Sequence, residues 1–357
     1  MPRGISTRGD ILATTIDGVS LDSIWQEFSD TLSIWNTERS AVANLFTQPT
    51  IQSGTSVSQA AESDPFELAS AFGVPQSRRA EVEPLVLGFP LNWYDTATRY
   101  TEEFIRDATA DQVRAQHDAA LGADNLTIFR DVLKALFQNT NRANDEGATV
   151  YPLWNNDGMN PPPFAGKTFA SSHSHYLVSG AATIDGGDLR DLTNTITEHG
   201  YGLNGNWGVV ILANPAESDL IRGFRANPAS PTTAPFDFIP AQDAPAYISD
   251  ENIIGDRPAG KYNGLTVIGS YGRALIIEDY HVPVGYLAAT ATDVKPLAFR
   301  EHTRPEYRGL RIKRGDAPTH PIVGSIYARG FGVGVQHRGA AAVMKIAASG
   351  SYTPPTL

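Results

Sequence analysis

The chain contains no cysteine, which excludes disulfides, thiolate metal ligands and cysteine nucleophiles together and leaves the redox compartment unmarked. No run of about 18 apolar residues occurs, and the opening stretch Met1 to Asp10 lacks the apolar core of a secretory signal, so a soluble protein made in the cytoplasm is expected. Basic charge is scarce: 28 Lys and Arg stand against 39 Asp and Glu, a formal net charge of −11. That balance is the opposite of the basic stripe which sequence-unspecific DNA binding requires. Lysine is missing from the whole first third, and Lys134 is the first.

What is present suffices for a large core. The 357 residues exceed the usual size of one domain, 41% are hydrophobic, and 5 Trp, 13 Tyr and 15 Phe supply bulk. Leu21, Ile24, Trp25, Phe28, Leu32 and Trp35 fall at helical spacing after Ser20, a possible N-cap, and predict an amphipathic helix over 21 to about 37. From Phe46 to Tyr94 the character changes to two extended arms, Thr50 to Gln59 and Glu83 to Tyr94, around a mixed middle, a long excursion from the main body. Residues 98–121 are rich in helix formers. Gly122 to Asn125 then predicts a bend or stop, with Asn125 capping a second helix that carries Phe129, Val132, Leu133, Leu136 and Phe137 on one face.

Beyond Gly147 the elements become short and alternate. Leu189, Leu192 and Ile196 suit a helix ended by Gly200, Trp207 to Ala213 a buried strand, and Asn214-Pro-Ala-Glu217 a helix start. A Pro-rich stretch over 226–258 reads as an ordered loop or short linker, and strands are expected at 265–268, 274–278 and 285–289. The fold class is therefore α+β, with no internal repeat.

Chemistry-bearing motifs are few. His173-Ser-His175 is the one close histidine pair; in a strand both imidazoles would share a face, with Glu198 and His199 the nearest further donors. In a Ser-rich loop, hydrogen-bonded surface histidines are the simpler reading, so no metal, cofactor or catalytic residue is assigned. Gly330-Phe-Gly-Val-Gly334 lacks the lysine of a phosphate loop and the spacing of a dinucleotide fingerprint, and there is no Gly-x-Ser-x-Gly elbow. Glu102, Glu103 and Asp107, beside Arg99 and Arg106, suit exposed ion pairs.

Two C-terminal runs, Pro296 to Gly315 and Tyr327 to Ile346, together with Val209 to Arg222 and Tyr262 to Ile268, resemble the major capsid proteins of tailed bacteriophages. The resemblance lies in the order and spacing of the pieces along nearly the whole chain. It implies a Hong Kong 97-like fold. Residues 1–45 would be the N-terminal arm and helix, and 46–95 an extended loop lying over a neighbour. Residues 96–142 would carry the spine helix of the peripheral domain, 143–295 the axial domain, and 296–357 the return to the peripheral domain. It also implies a structural protein without cofactor that self-assembles into pentamers and hexamers of an icosahedral head, located in the virion after synthesis in the host cytoplasm. Double-stranded DNA would be enclosed without specific recognition; an inner face that carried the net negative charge would repel phosphates. Implied partners are a portal, a decoration protein where one exists, and a scaffolding protein. That scaffold would be separate or already removed, because only about 20 residues precede the first helix. Some members cross-link through a lysine in the extended loop; with Lys134 the first lysine, 46–95 cannot.

Charge patterning offers a candidate contact. Residues 46–97 carry Glu62, Asp64, Glu67, Glu81, Glu83 and Asp95 against Arg78 and Arg79, net −4, whereas 299–338 carry eight Lys or Arg against three acids, net +5. Complementary patches orient partners more than they add affinity. The acidic loop of one subunit is thus expected on the basic return segment of another, through Arg300, Arg304, Arg308 and Arg311, with solvated loop charges on both segments as the alternative reading. Two other readings remain: an encapsulin-type nanocompartment shell with the same fold, and a metal-dependent hydrolase using His173, His175 and Glu198.

Overall fold

The computed structural model describes residues 12–37, 41–57, 85–97, 100–243, 256–314 and 320–357. Helix α1, Leu21–Thr37, forms as its periodicity predicts and buries Leu21, Ile24, Phe28 and Leu32. Ser20 bridges to Thr14, and its carbonyl accepts from the Ile24 amide at 3.2 Å. A short helix α2, Ala41–Phe46, buries four of its six residues.

The expected stop at Gly122 is absent. Helix α4, Ala110–Phe137, runs unbroken for 28 residues, and the break comes earlier, between it and α3, Glu102–Asp107. There Thr109 and Gln112 form a reciprocal capping box. A glycine inside a helix costs about 1 kcal/mol relative to alanine, whereas each large apolar side chain buried beyond it contributes about 1.5–3 kcal/mol. Ile128, Phe129, Val132, Leu133, Leu136 and Phe137 are all buried, so packing overrides the local signal. Asn125 is an exposed mid-helix residue, and its neighbour Asp124 is buried against the Trp35 indole N–H (3.0 Å) and Arg329 (2.5 Å).

Two sheets pack on this helix. The first has five strands. β1 (Thr47–Thr50) lies parallel to β14 (Leu297–Glu301); β14 and β15 (Arg311–Lys313) run antiparallel to β16 (Ile326–Val335), as does β4 (Asn92–Ala97). A hairpin of β2 (Gly54–Val57) and β3 (Leu85–Gly88) stands beside it, and a two-residue pair, β5 (Arg142–Ala143) with β6 (Thr149–Val150), follows α4. The second sheet has eight strands. Its centre is β8 (Val209–Ala213), fully buried between β12 (Ala274–Glu278) and β13 (Tyr286–Ala291). β11 (Leu265–Tyr271), β10 (Lys261–Tyr262) and β9 (Phe238–Pro240) extend one side, and β17 (Ala341–Lys345) with β7 (Tyr176–Val178) the other. The Pro-rich stretch thus contributes β9, while 244–255 lie outside the described residues.

Helix α5, Gly186–Thr197, begins on an Asp185 capping box and is followed by Gly200 at φ +84°, the left-handed stop its sequence predicts. Helix α6, Pro215–Arg222, starts on Asn214 as expected. Glu217 does not return to the cap; it is buried and accepts from the Gly285 amide at 2.8 Å.

The segment 296–357 divides between the sheets, β14 to β16 in the five-stranded one and β17 in the eight-stranded one. Arg338 sits in the crossover between them with no exposed surface. Its guanidinium donates to Asp157 (2.6 Å), Asn155 (3.2 Å) and the Pro152 and Leu153 carbonyls (2.9 and 3.3 Å), and lies 4.0 Å from the Trp154 ring centre. Burial pulls its pKa down while Asp157 opposes the shift.

The unfolding midpoint of the chain is sensitive to both features. A Cβ at Gly122 meets no atom within 4 Å, so Gly122→Ala should stabilise by about 1 kcal/mol; a lower midpoint would contradict the continuous helix. Arg338→Ala leaves Asp157 buried without its cation and should cost about 3–5 kcal/mol, and a loss under 1 kcal/mol would show that the crossover is held otherwise.

Candidate functional site

The base of the β2–β3 hairpin is fixed beside the five-stranded sheet. Asn144 donates through Nδ2 to the Ser53 carbonyl (2.8 Å) and the Phe89 carbonyl (3.2 Å), holding the two ends of the hairpin together. Close approach is built in by glycine. A Cβ at Gly88 would lie 2.8 Å from the Ala148 carbonyl oxygen, and one at Gly332 would lie 2.1 Å from that of Pro90. Val57, Leu87, Phe89 and Ala298 form a small core under the hairpin. Residues 58–84 are outside the described residues, and with them the expected contact groups Glu62, Asp64, Glu67, Glu81 and Glu83.

The four arginines assigned to the opposite face have different fates. Arg300 is buried and committed within its own chain, donating to the Phe89 carbonyl at 2.7 Å and ion-paired with Glu146, whose carboxyl it holds below the usual range. Within its own chain it therefore braces the base of the hairpin; a buried guanidinium is held by the nearest carboxylate and carbonyl. Arg308 is half-buried and donates to the His302 and Thr303 carbonyls (2.8 and 2.6 Å), shaping the turn around Pro305–Tyr307. Arg311 is half-buried and lies over two rings, 4.7 Å from Tyr307 and 5.9 Å from Trp93. Arg304 is exposed, as are Lys313 and Arg314 nearby.

Around these cations lies an aromatic shelf that charge counting did not find. Trp93 lies over Gly330, where a Cβ would come within 2.7 Å of the indole, and it remains 52% exposed. His302 stands 5.9 Å from Trp93 and 5.1 Å from Tyr307, centre to centre. A rigid, half-exposed Trp beside Arg and Tyr has the composition of an interface anchor. The only sequence sign of it is a glycine cross-strand from a tryptophan, and that register is invisible before the strands pair.

The histidine pair also meets a different third residue. His173 and His175 precede β7 instead of lying in a strand, yet their ring centres are 5.1 Å apart, and His199, just past α5, is 4.9 Å from each. Glu198, the acid expected with them, is ion-paired to Lys167 at 2.5 Å. Nε2 of His199 is 2.9 Å from Nε2 of His173. His175 is fully buried; its Nδ1 donates to the Ala341 carbonyl at 2.6 Å, and its Nε2 has no hydrogen-bond partner. Burial first, and then the mutual proximity of the rings, holds His175 well below its ordinary pKa and His199 down to about 3; His173 is lowered chiefly by burial. All three are neutral at pH 7.

No protein-family model and no curated protein matches this sequence. Among solved structures, one from Mycobacterium phage Patience is 38% identical, with 99% of this chain and 96% of that chain covered and a TM-score of 0.72. The capsid structure of cyanophage P-SCSP1u shares 12% identity over 85% of this chain and 87% of that one, at a TM-score of 0.48. The holo-SrpI encapsulin complex from Synechococcus elongatus shares 13% over 88% and 90%, at 0.44.

Proposed function

The chain belongs to the major capsid proteins of tailed bacteriophages, with the Hong Kong 97-like fold, and from that premise we propose how its copies hold together. Self-assembly into a capsid shell is its function, and the virion capsid its place. The finer reading is that subunits join as pentamers and hexamers of an icosahedral head, with the acidic loop of one subunit seated on the return segment of the next.

The observation that carries this reading is the shelf of Trp93, Tyr307 and Arg311, held rigid beside the base of the hairpin and edged by exposed Arg304, Lys313 and Arg314. A loop with net charge −4 over 46–97 has complementary sign to this face. Aromatic anchors supply the affinity in such a contact, and the rim cations supply register. In this scheme residues 1–45 act as the arm, 46–95 as the extended loop, α4 as the spine that stiffens the wall, and the eight-stranded sheet as the axial contact around each capsomer centre. Subunits would be made in the host cytoplasm, guided by a separate scaffolding protein and a portal, and decorated outside where a decoration protein exists. The overall charge of −11 suits a wall that encloses double-stranded DNA without gripping it.

The test is electron microscopy with size-exclusion chromatography of the protein expressed alone and with its adjacent genes. Arg304→Glu and Trp93→Ala should each leave a folded subunit, checked by circular dichroism, and prevent closed particles. Loss of one anchor worth about 2 kcal/mol raises the concentration needed for assembly roughly 30-fold. Normal particles at wild-type concentrations from both variants would remove the shelf from the contact.

A further inference from the structure

We propose that His173, His175 and His199 form a structural binding site for one divalent transition cation, zinc by its ligand chemistry, which ties the end of α5 to the edge of the eight-stranded sheet. The three side chains come from segments brought together only by folding. His173 and His175 lie in the approach to edge strand β7, and His199 just beyond α5.

The geometry fits a cation better than it fits three isolated rings. One ligand nitrogen from each histidine lies within 4.8 Å of the others. Tetrahedral zinc with bonds of about 2.0–2.1 Å places its donors roughly 3.3 Å apart, so modest ring rotation completes the set. The His175 tautomer is fixed by its neighbour: a carbonyl can only accept, so Nδ1 carries the proton to Ala341 and Nε2 is left with its lone pair. That lone pair is fully buried and has no hydrogen-bond partner. His173 and His199 face one another through Nε2 at 2.9 Å, a contact that requires one shared proton. A cation in place of that proton would engage lone pairs on all three rings.

The surroundings support binding. Phe169 stacks on His199 at 4.0 Å, nearly parallel, and a Cβ at Gly339 would lie 3.1 Å from the same imidazole, so the ring is closely packed. Two cationic side chains are close, and both are paired: Arg338 with Asp157 at 2.6 Å, Lys167 with Glu198 at 2.5 Å. His173 is half-buried, which leaves a route from solvent, and a structural zinc completes its set of four with a water where the protein supplies three ligands. An all-imidazole set selects zinc, nickel, cobalt or copper over calcium or magnesium.

The experiment uses the full chain, stripped with EDTA, dialysed and titrated with zinc chloride. Zinc content by mass spectrometry, calorimetry and melting temperature are read together. One zinc per chain and a raised melting temperature are expected, with the shift lost in His173→Gln, a half-exposed position where the metal-free fold should be unchanged. Cobalt(II) added to wild-type protein gives a second reading that needs no variant, since three nitrogens and a water produce the intense visible absorption of a tetrahedral ion. No zinc-dependent shift in wild-type protein, an octahedral cobalt spectrum, or an equal shift in folded His173→Gln would overturn the proposal.

Discussion

The C-terminal half of α4 is the surface on which the rest of the molecule is built. Phe129, Val132, Leu133, Leu136 and Phe137 share one core with Val210, Leu212, Ala288 and Val343 of the eight-stranded sheet and with Phe299, Phe331 and Val333 of the five-stranded one. The sheets are therefore not separate lobes on a flexible joint. Interiors packed at crystal-like density transmit displacement instead of absorbing it, so a force on either sheet reaches the other through this helix. For a shell subunit that is the useful property, because contacts made at one edge keep a fixed geometry relative to those made at the other.

Buried arginines place the segments around this core. Arg338 locks the crossover from one sheet to the other, Arg329 pairs with Asp124 on α4, and Arg300 with Glu146 braces the base of the hairpin. Buried ion pairs add little net stability over apolar packing, yet a charge deprived of its partner is costly, so each pair selects one arrangement of its segments. The basic segment 299–338 therefore exposes less charge than its composition suggests. Arg304, Lys313 and Arg314 remain exposed, while three other arginines of the region 299–338 are consumed inside. Beside these cations Trp93, His302 and Tyr307 hold their rings at fixed angles to one another, the surface on which the proposed contact rests.

The histidine cluster occupies the far edge of the eight-stranded sheet, where β7 is joined to the rest only through β17. An edge strand of three residues has few backbone bonds to hold it, and both His175 and Arg338 reinforce the same corner, His175 through the Ala341 carbonyl and Arg338 through the 151–157 loop.

The sequence by itself determined the local elements: α1 from periodicity, α5 and α6 from periodicity and caps, β8 and β11 to β13 from apolar runs, and the family from the order of these pieces. Those signals lie within a few residues of one another, so they act before any tertiary contact forms. Only the tertiary structure decided the rest. Gly122 is passed over because burial of the residues beyond it outweighs a single glycine. Arg300 turns inward because Glu146 and the Phe89 carbonyl lie beneath it, and His199 replaces Glu198 because α5 ends facing β7. The fate of a polar side chain is set by its desolvation and by the partner that meets it, and here those partners come from segments far apart in the chain.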